Sequence, residues 1–259
     1  MALPVHFLVY KKEINMRLLI DIGNTNTSMA LVDGNVFVKH YFIHTAKKEI
    51  SKEAFTRMMG RYIKFVDKII VVSVVPYFLS ILISVLKKVF LRASISIVGR
   101  DMKVPIKNKY NKPNEVGQDR LVTAFAAKLR YKAPLIAIDF GTAVTLDFVN
   151  KRGDYEGGFI FPGLRLSLKS LVSDTSLLPS IVLKSSKGFI GKDTKTSMNN
   201  GILFGYAALC DGLIERITEK YGKVNVAATG GDAALVAKNS KYIKHVHPKL
   251  IFEGLKEIT

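Results

Sequence analysis

Apolar and polar positions along this chain follow two periods, and the changes between them mark out its elements. From Leu18 to Phe42 the sequence LLIDIGNTNTSMALVDGNVFVKHYF opens with an apolar strand ending in Asp21 and turns at Gly23-Asn24-Thr25. A second strand, a tight Asp33-Gly34 turn and a third strand from Val36 follow. Ser51 to Phe65 reads as helical, and the β-branched run Ile69 to Val75 reads as a buried strand. Leu79, Leu82, Ile83 and Leu86 then recur at helical spacing above Ser80, Ser84 and Lys87. The whole stretch Ile69 to Leu86 is 18 residues without a charge, the length at which a membrane span comes into question. Pro76 splits it, and the change of period predicts strand, turn and helix instead of a span.

Further along, Leu121 to Arg130 is predicted helical, and Leu135 to Phe161, LIAIDFGTAVTLDFVNKRGDYEGGFIF, repeats the opening arrangement. Asp139 stands where Asp21 stood, Gly141 matches Gly23, Thr142 matches the Asn24-Thr25 turn, and Arg152-Gly153-Asp154 replaces the Asp33-Gly34 hairpin turn. An ordinary hairpin with an acidic residue at its turn explains either copy alone. The pair, offset by 118 residues from Asp21 to Asp139, points to duplication. Each copy is followed by helical stretches and further strands, the second by a helix over Asn199 to Tyr221 and a strand over Val224 to Ala228. An α/β protein of two similar halves, 16–133 and 134–259, is therefore predicted.

Composition changes this picture little. The chain has 259 residues, 48% of them hydrophobic and 23% charged, which suits a folded globular protein and excludes disorder. Its single cysteine, Cys210, cannot form an internal disulfide, and no His/Cys cluster has metal-finger spacing. A reducing cytoplasm fits. The formal charge of +18 favours polyanions in general, ATP included. The lysines, however, are scattered as singles and pairs such as Lys47-Lys48 and Lys87-Lys88, with no basic arm interleaved with aromatics. That distribution predicts a solvated basic surface and argues against nucleic acid as a partner. Met1 to Tyr10 is apolar but lacks a basic leader and a small-residue cleavage site, so no signal peptide is read there. Met16, from which the strand pattern starts at once, is a candidate start.

The repeated turns carry the chemistry. Asp21-Ile22-Gly23-Asn24-Thr25 puts backbone N–H groups and short polar side chains at the end of a buried strand, a natural cradle for phosphate oxygens. Gly23 is expected to allow close approach and a left-handed backbone. Asp21 would repel a bare phosphate and becomes favourable if it holds a hydrated Mg²⁺ bridging the phosphates. Asp139-Phe140-Gly141-Thr142 supplies a second such turn, so two opposed hairpins can grip one nucleotide. Thr229-Gly230-Gly231-Asp232 would admit the flat adenine or ribose before a helix near Ala233, although double glycines are common in turns. Between the halves, Asp119 and Arg120 open a helix. The ordinary reading is a capping carboxylate beside a surface cation. At the border of a cleft the same pair could instead accept a hydroxyl proton and bind an oxyanion or carboxylate. His44, His245 and His247 have no partner pattern and are read as surface or core residues.

Taken together, DIGNT at Asp21, YNKPNEVGQDR from Tyr110, IDFGTAVT from Ile138, EGGFIFPGL from Glu156, IGKDT from Ile190, ATGG from Ala228 and FEGL from Phe252 resemble the type III pantothenate kinases. The likeness runs from Met16 to Leu255. It implies the actin, sugar-kinase and Hsp70 ATPase superfold, with two duplicated ribonuclease H-like lobes and the nucleotide in the cleft between them. It also implies ATP-dependent phosphorylation of pantothenate on its primary hydroxyl, the opening step of coenzyme A synthesis. By the same resemblance Asp119 would be the general base, and Tyr110, Gly117, Gln118, Asp119 and Arg120 would form the acceptor site. Asp21, Ile22, Gly23, Asn24, Thr25, Asn26, Thr27 and Ser28 would form the phosphate loop, with Thr142 on ATP. Asp21 would hold Mg²⁺ through water and Asp139 a monovalent cation, K⁺ or NH₄⁺. Thr194 would reach pantothenate across the interface of a homodimer with a shared active site; without the family it reads as a helix N-cap. Two departures stand out: Ala30 occupies a position where the family has glycine, and the extension before Met16 is foreign to the pattern. The competing functions are a non-enzymatic transcriptional accessory factor of the same fold and a kinase of this superfold for another hydroxylated substrate. Asp21, Asp119 and Asp139 argue against the first, and EVGQDR argues against the second.

Overall fold

Two sheets of one design carry the molecule. In the first, β1 (Met16–Ile22), β2 (Asn26–Asp33) and β3 (Val36–His44) form an antiparallel meander. β4 (Val66–Ser73) and β5 (Ser94–Ile97) add in parallel on the other side of β1, giving the order β3-β2-β1-β4-β5. In the second, β6 (Leu135–Phe140), β7 (Ala143–Val149), β8 (Tyr155–Pro162) and β9 (Asn225–Thr229) repeat the first four strands in order and direction as β8-β7-β6-β9. The duplication read from the sequence is thus a duplication of topology. The computed structural model describes residues 15–45 and 50–258, so Met1 to Tyr10 and the Lys47-Lys48 pair lie outside the described residues.

The helices are α1 (Lys52–Met59), α2 (Pro76–Val89), α3 (Gln118–Arg130), α4 (Leu164–Ser173), α5 (Thr194–Tyr221), α6 (Ala233–Ala237) and α7 (Leu250–Glu257). Because helices cover both faces of the first sheet, β1 shows no polar alternation: Leu18, Leu19, Ile20 and Ile22 are all fully buried. Leu18, Ile20 and Ile22 pack with Phe55 of α1 and Phe78, Leu82 and Leu86 of α2. Leu19, Ala30 and Val32 face the opposite way, into a cluster that also holds Ala124 and Phe125 of α3, Phe252 and Leu255 of α7, and Leu135, Ala137 and Val149 of the second sheet. α3 and α7 are therefore the filling between the two sheets. They cross closely, since a Cβ at Gly254 would lie 2.7 Å from the Val122 carbonyl oxygen. The outer face of the second sheet, with Ile136, Ile138 and Phe140, packs on Leu164 and Leu168 of α4, Leu203 and Ile214 of α5, and Val236 of α6.

Ile69 to Leu86 resolves into β4 and α2, with Pro76 in the first helical turn, where its missing N–H costs nothing. Among the described residues no helix is long and apolar enough to cross a membrane. Three local expectations are corrected. The helix expected over Ser51 to Phe65 ends at Met59, where Gly60 takes φ 52° and a 3₁₀ segment continues to Phe65. α5 begins at Thr194, five residues before the expected Asn199, and its N-cap is Asp193 in a capping box with Thr196, so Thr194 is not the cap. The first hairpin turns on Gly34-Asn35, between the paired Asp33 and Val36, with Gly34 at φ 55°.

Candidate active site

The carboxyl ends of β1 and β6 bring the two repeated turns together. The hydroxyls of Thr25 and Thr142, one from each half, are hydrogen-bonded at 2.8 Å. Each turn is closed by its glycine N–H, the Gly23 N–H donating to the Asn26 carbonyl and the Gly141 N–H to the Ala143 carbonyl, both at 3.1 Å, so the second turn is one residue shorter. Asp21 and Asp139 precede these turns on adjoining walls, and Asp119 joins them from the first turn of α3. The three carboxylates sense one another. Burial foremost, then the charges of Asp119 and Asp139, hold the Asp21 carboxyl well above the usual range. Asp139 is pushed up to about 7 by burial, then by Asp119 and Asp147. Burial also raises Asp119, against the opposing effect of the Arg120 N–H that donates to its Oδ1 at 2.8 Å.

The turns expose unequal parts of the expected phosphate loop. Asn24, Thr25, Asn26 and Thr142 are open to solvent, while Ser28 is half-buried in β2. The side chain of Ile22 lies in the core, and the Thr27 hydroxyl is buried against that of Thr45 at 3.0 Å, which in turn donates to the Gly23 carbonyl. Those two residues shape the loop with their side chains and can offer a ligand only backbone. The left-handed backbone expected at Gly23 is absent. What glycine gives here is room: a Cβ at Gly23 would sit 3.1 Å from the Asn26 carbonyl oxygen, a tight contact in the closed turn. A left-handed glycine beside the carboxylates is Gly230, at φ 96°, where a Cβ would fall 2.5 Å from Asp139 Oδ1. The Thr229-Gly230-Gly231-Asp232 turn therefore presses against Asp139 at the end of β9.

Around α3 the geometry is tighter than the sequence suggests. Gly117 is the N-cap, and a Cβ there would meet Asp119 Oδ1 at 2.4 Å, so the glycine makes room for the folded-back carboxylate. Gln118 packs on Gly99. Asp119 does not cap the helix: α3 has no side-chain cap bond, and the Asp119 carboxylate accepts the N–H of its neighbour Arg120 instead. Arg120 is not a surface cation. Only 8% exposed, it pairs through Nη2 and Nε with Asp147 Oδ1 at 2.6 and 3.0 Å. The Tyr155 hydroxyl donates to the same oxygen at 2.7 Å. Asp147 and Tyr155 were not singled out in the sequence; the signal available was an acid at the centre of the apolar strand TLDFV. Tyr110 borders this group, its ring against Gly157. Thr194 is exposed at the start of α5, and among the described residues no hydrogen bond ties it to the carboxylates. His247, read as unpartnered, bonds through Nε2 to the Tyr131 hydroxyl at 2.7 Å.

Recessed carboxylates that repel one another are relieved by a bound cation. Among the described residues no three His, Cys, Asp or Glu side chains are close enough to enclose a metal unaided. An ion held here by Asp21 or Asp139 would therefore need water or ligand oxygens to complete its shell.

Comparison with known proteins bears on this arrangement at two levels. Among solved structures, a Campylobacter jejuni protein assigned to the Baf family of transcriptional activators superposes with a TM-score of 0.58 at 20% identity, covering 93% of this chain and 96% of that one. Component A of (R)-2-hydroxyglutaryl-CoA dehydratase from Acidaminococcus fermentans gives 0.55 at 13% identity over 93% and 95%. At these identities the likeness shows fold alone, and it bears out the two-lobed α/β architecture. At the level of sequence, the type III pantothenate kinase family model matches residues 17–216. Type III pantothenate kinases of Syntrophus aciditrophicus and Persephonella marina are 39% and 38% identical over 94% of this chain and 98% of their own. This chain belongs to the type III pantothenate kinase family.

Proposed function

We propose that this protein is a kinase that transfers the terminal phosphoryl group of ATP to the primary hydroxyl of pantothenate, giving 4'-phosphopantothenate and opening coenzyme A synthesis. The observation that most supports the reading is the meeting of the two duplicated turns, through Thr25 and Thr142, beside Asp21, Asp119 and Asp139. The two lobes are assigned as 16–133 and 134–259. Asn24, Thr25, Asn26 and Thr142 offer open hydroxyls and amides to the phosphates, backed by the N–H groups of both turns. Mg²⁺ held through water by Asp21, and K⁺ or NH₄⁺ held by Asp139, would supply charge neutralisation for the phosphates.

Asp119 is assigned to orient the acceptor hydroxyl and take its proton as the oxygen attacks phosphorus. Burial, by raising its affinity for a proton, makes it a stronger base than a surface carboxylate. Phosphoryl transfer needs positioning and charge neutralisation more than covalent help, which this set of groups can provide. Arg120 is assigned to the acceptor's carboxylate, with Tyr110, Gly117 and Gln118 alongside. A homodimer that shares its active sites would bring Thr194 to the partner's acceptor; Phe189 and Ile190, 70% and 72% exposed just ahead of it, support an interface there. The test is an ATP-consumption assay with pantothenate against a panel of small alcohols. Turnover confined to pantothenate is expected, whereas turnover with another acceptor only, or none at all, contradicts the assignment.

A further inference from the structure

We propose that Asp147 and Tyr155 are positioning residues that aim the Arg120 guanidinium at the acceptor's carboxylate, an inference that rests on the reading of Arg120 as an acceptor contact. Asp147 engages Nε and Nη2, and among the described residues Nη1 takes no part in these bonds. A guanidinium is planar, so fixing that edge fixes the direction of the remaining donors. Tyr155, fully buried, secures the other partner by donating to the Oδ1 that Arg120 uses. Its backbone is itself pinned: the Tyr155 N–H donates to the Lys107 carbonyl at 2.9 Å, and the Lys109 N–H donates to the Tyr155 carbonyl at 2.8 Å. That segment leads directly to Tyr110, so one tyrosine, through its hydroxyl to Asp147 and its backbone to Lys107 and Lys109, links the strand pair β7–β8 and the Arg120 ion pair to the Tyr110 segment. Stability does not call for such a group, because a buried ion pair is commonly replaceable by apolar residues of similar volume without loss. Orientation of the Arg120 side chain, 9% exposed next to the base Asp119, is what the ion pair and the tyrosine together provide.

The experiment compares two acceptors, pantothenate and pantothenol, which keeps the primary hydroxyl but has CH₂OH in place of the carboxylate. The wild-type protein is expected to prefer pantothenate strongly. In Asp147→Asn that preference should fall about ten- to a hundredfold, through KM for pantothenate, as expected for a contact misplaced by about an ångström. KM for ATP should hold, and pantothenol should lose far less. Tyr155→Phe, which keeps the ring and its packing, should move the preference several-fold in the same direction and keeps the test alive if Asp147→Asn does not fold. Equal losses with both acceptors, or an unchanged preference in folded variants, overturn the proposal. Arg120→Lys separates the two readings. If it too keeps the preference, the acceptor contact of Arg120 is wrong; if it alone loses the preference, only the positioning role is wrong.

Discussion

Asp119 owes its position to two neighbours: Gly117, where a Cβ would displace its carboxylate, and the Arg120 N–H, which holds one of its oxygens. Asp119→Asn keeps that volume and hydrogen bond but cannot take a proton, so turnover should fall by about two to four orders of magnitude, while the melting temperature stays at or above that of the wild type because a repelling charge is removed. Single-turnover kinetics beside thermal unfolding checks this. Gly230→Ala forces a Cβ against Asp139 Oδ1 at a left-handed position. It should cost about 1–3 kcal/mol in denaturant unfolding and most of the activity. At this scale the sequence was partly legible. Asp21 and Asp139 were identifiable because the repeat showed them twice, and Asp119 because of its neighbours in EVGQDR. Asp147 was missed because a lone acid in a strand says nothing about what it faces until α3 lies over it. The left-handed position was assigned to Gly23 on residue type alone, while the backbone placed it at Gly230.

Among the elements, hairpins and the β4–α2 unit follow from local signals, namely period, turn residues and the proline at the start of α2. The packing of α3 against α7 between the sheets does not, since Arg130 at the end of α3 and Leu250 at the start of α7 are 120 positions apart, and α7 is only 8 residues long. Gly254 is the contact that allows it. Gly254→Ala should cost about 1–3 kcal/mol by chemical denaturation, because the new methyl meets the α3 backbone and no side chain can yield. His247 ties the same junction, bonded to Tyr131 at the end of α3 and accepting the Leu250 N–H on its carbonyl. Burial, then the Arg130 charge, lowers its pKa below the ordinary 6.5. The unfolded chain therefore binds more protons here just below pH 6.5, and this histidine's contribution to stability weakens as pH falls through that window. The buried carboxylates act in the opposite sense. A residue-specific NMR titration is thus the right check, and a His247 midpoint at or above 6.5 would contradict the packing described.

For the molecule as a whole, the two-lobed division was visible in the duplicated segments, whereas the extra strand β5 and the shared filling between the sheets were not. On the proposed reading neither lobe suffices: each supplies one turn to the nucleotide site, with Asp21 and Asp119 from the first lobe and Asp139 from the second. Calorimetric titration of Mg·ATP into the wild-type protein, Asp21→Asn and Asp139→Asn tests this most directly. Both substitutions, although in different lobes, should weaken nucleotide binding by at least about tenfold, the loss of one charge-assisted contact. Wild-type affinity in either variant would contradict a nucleotide gripped between the two turns.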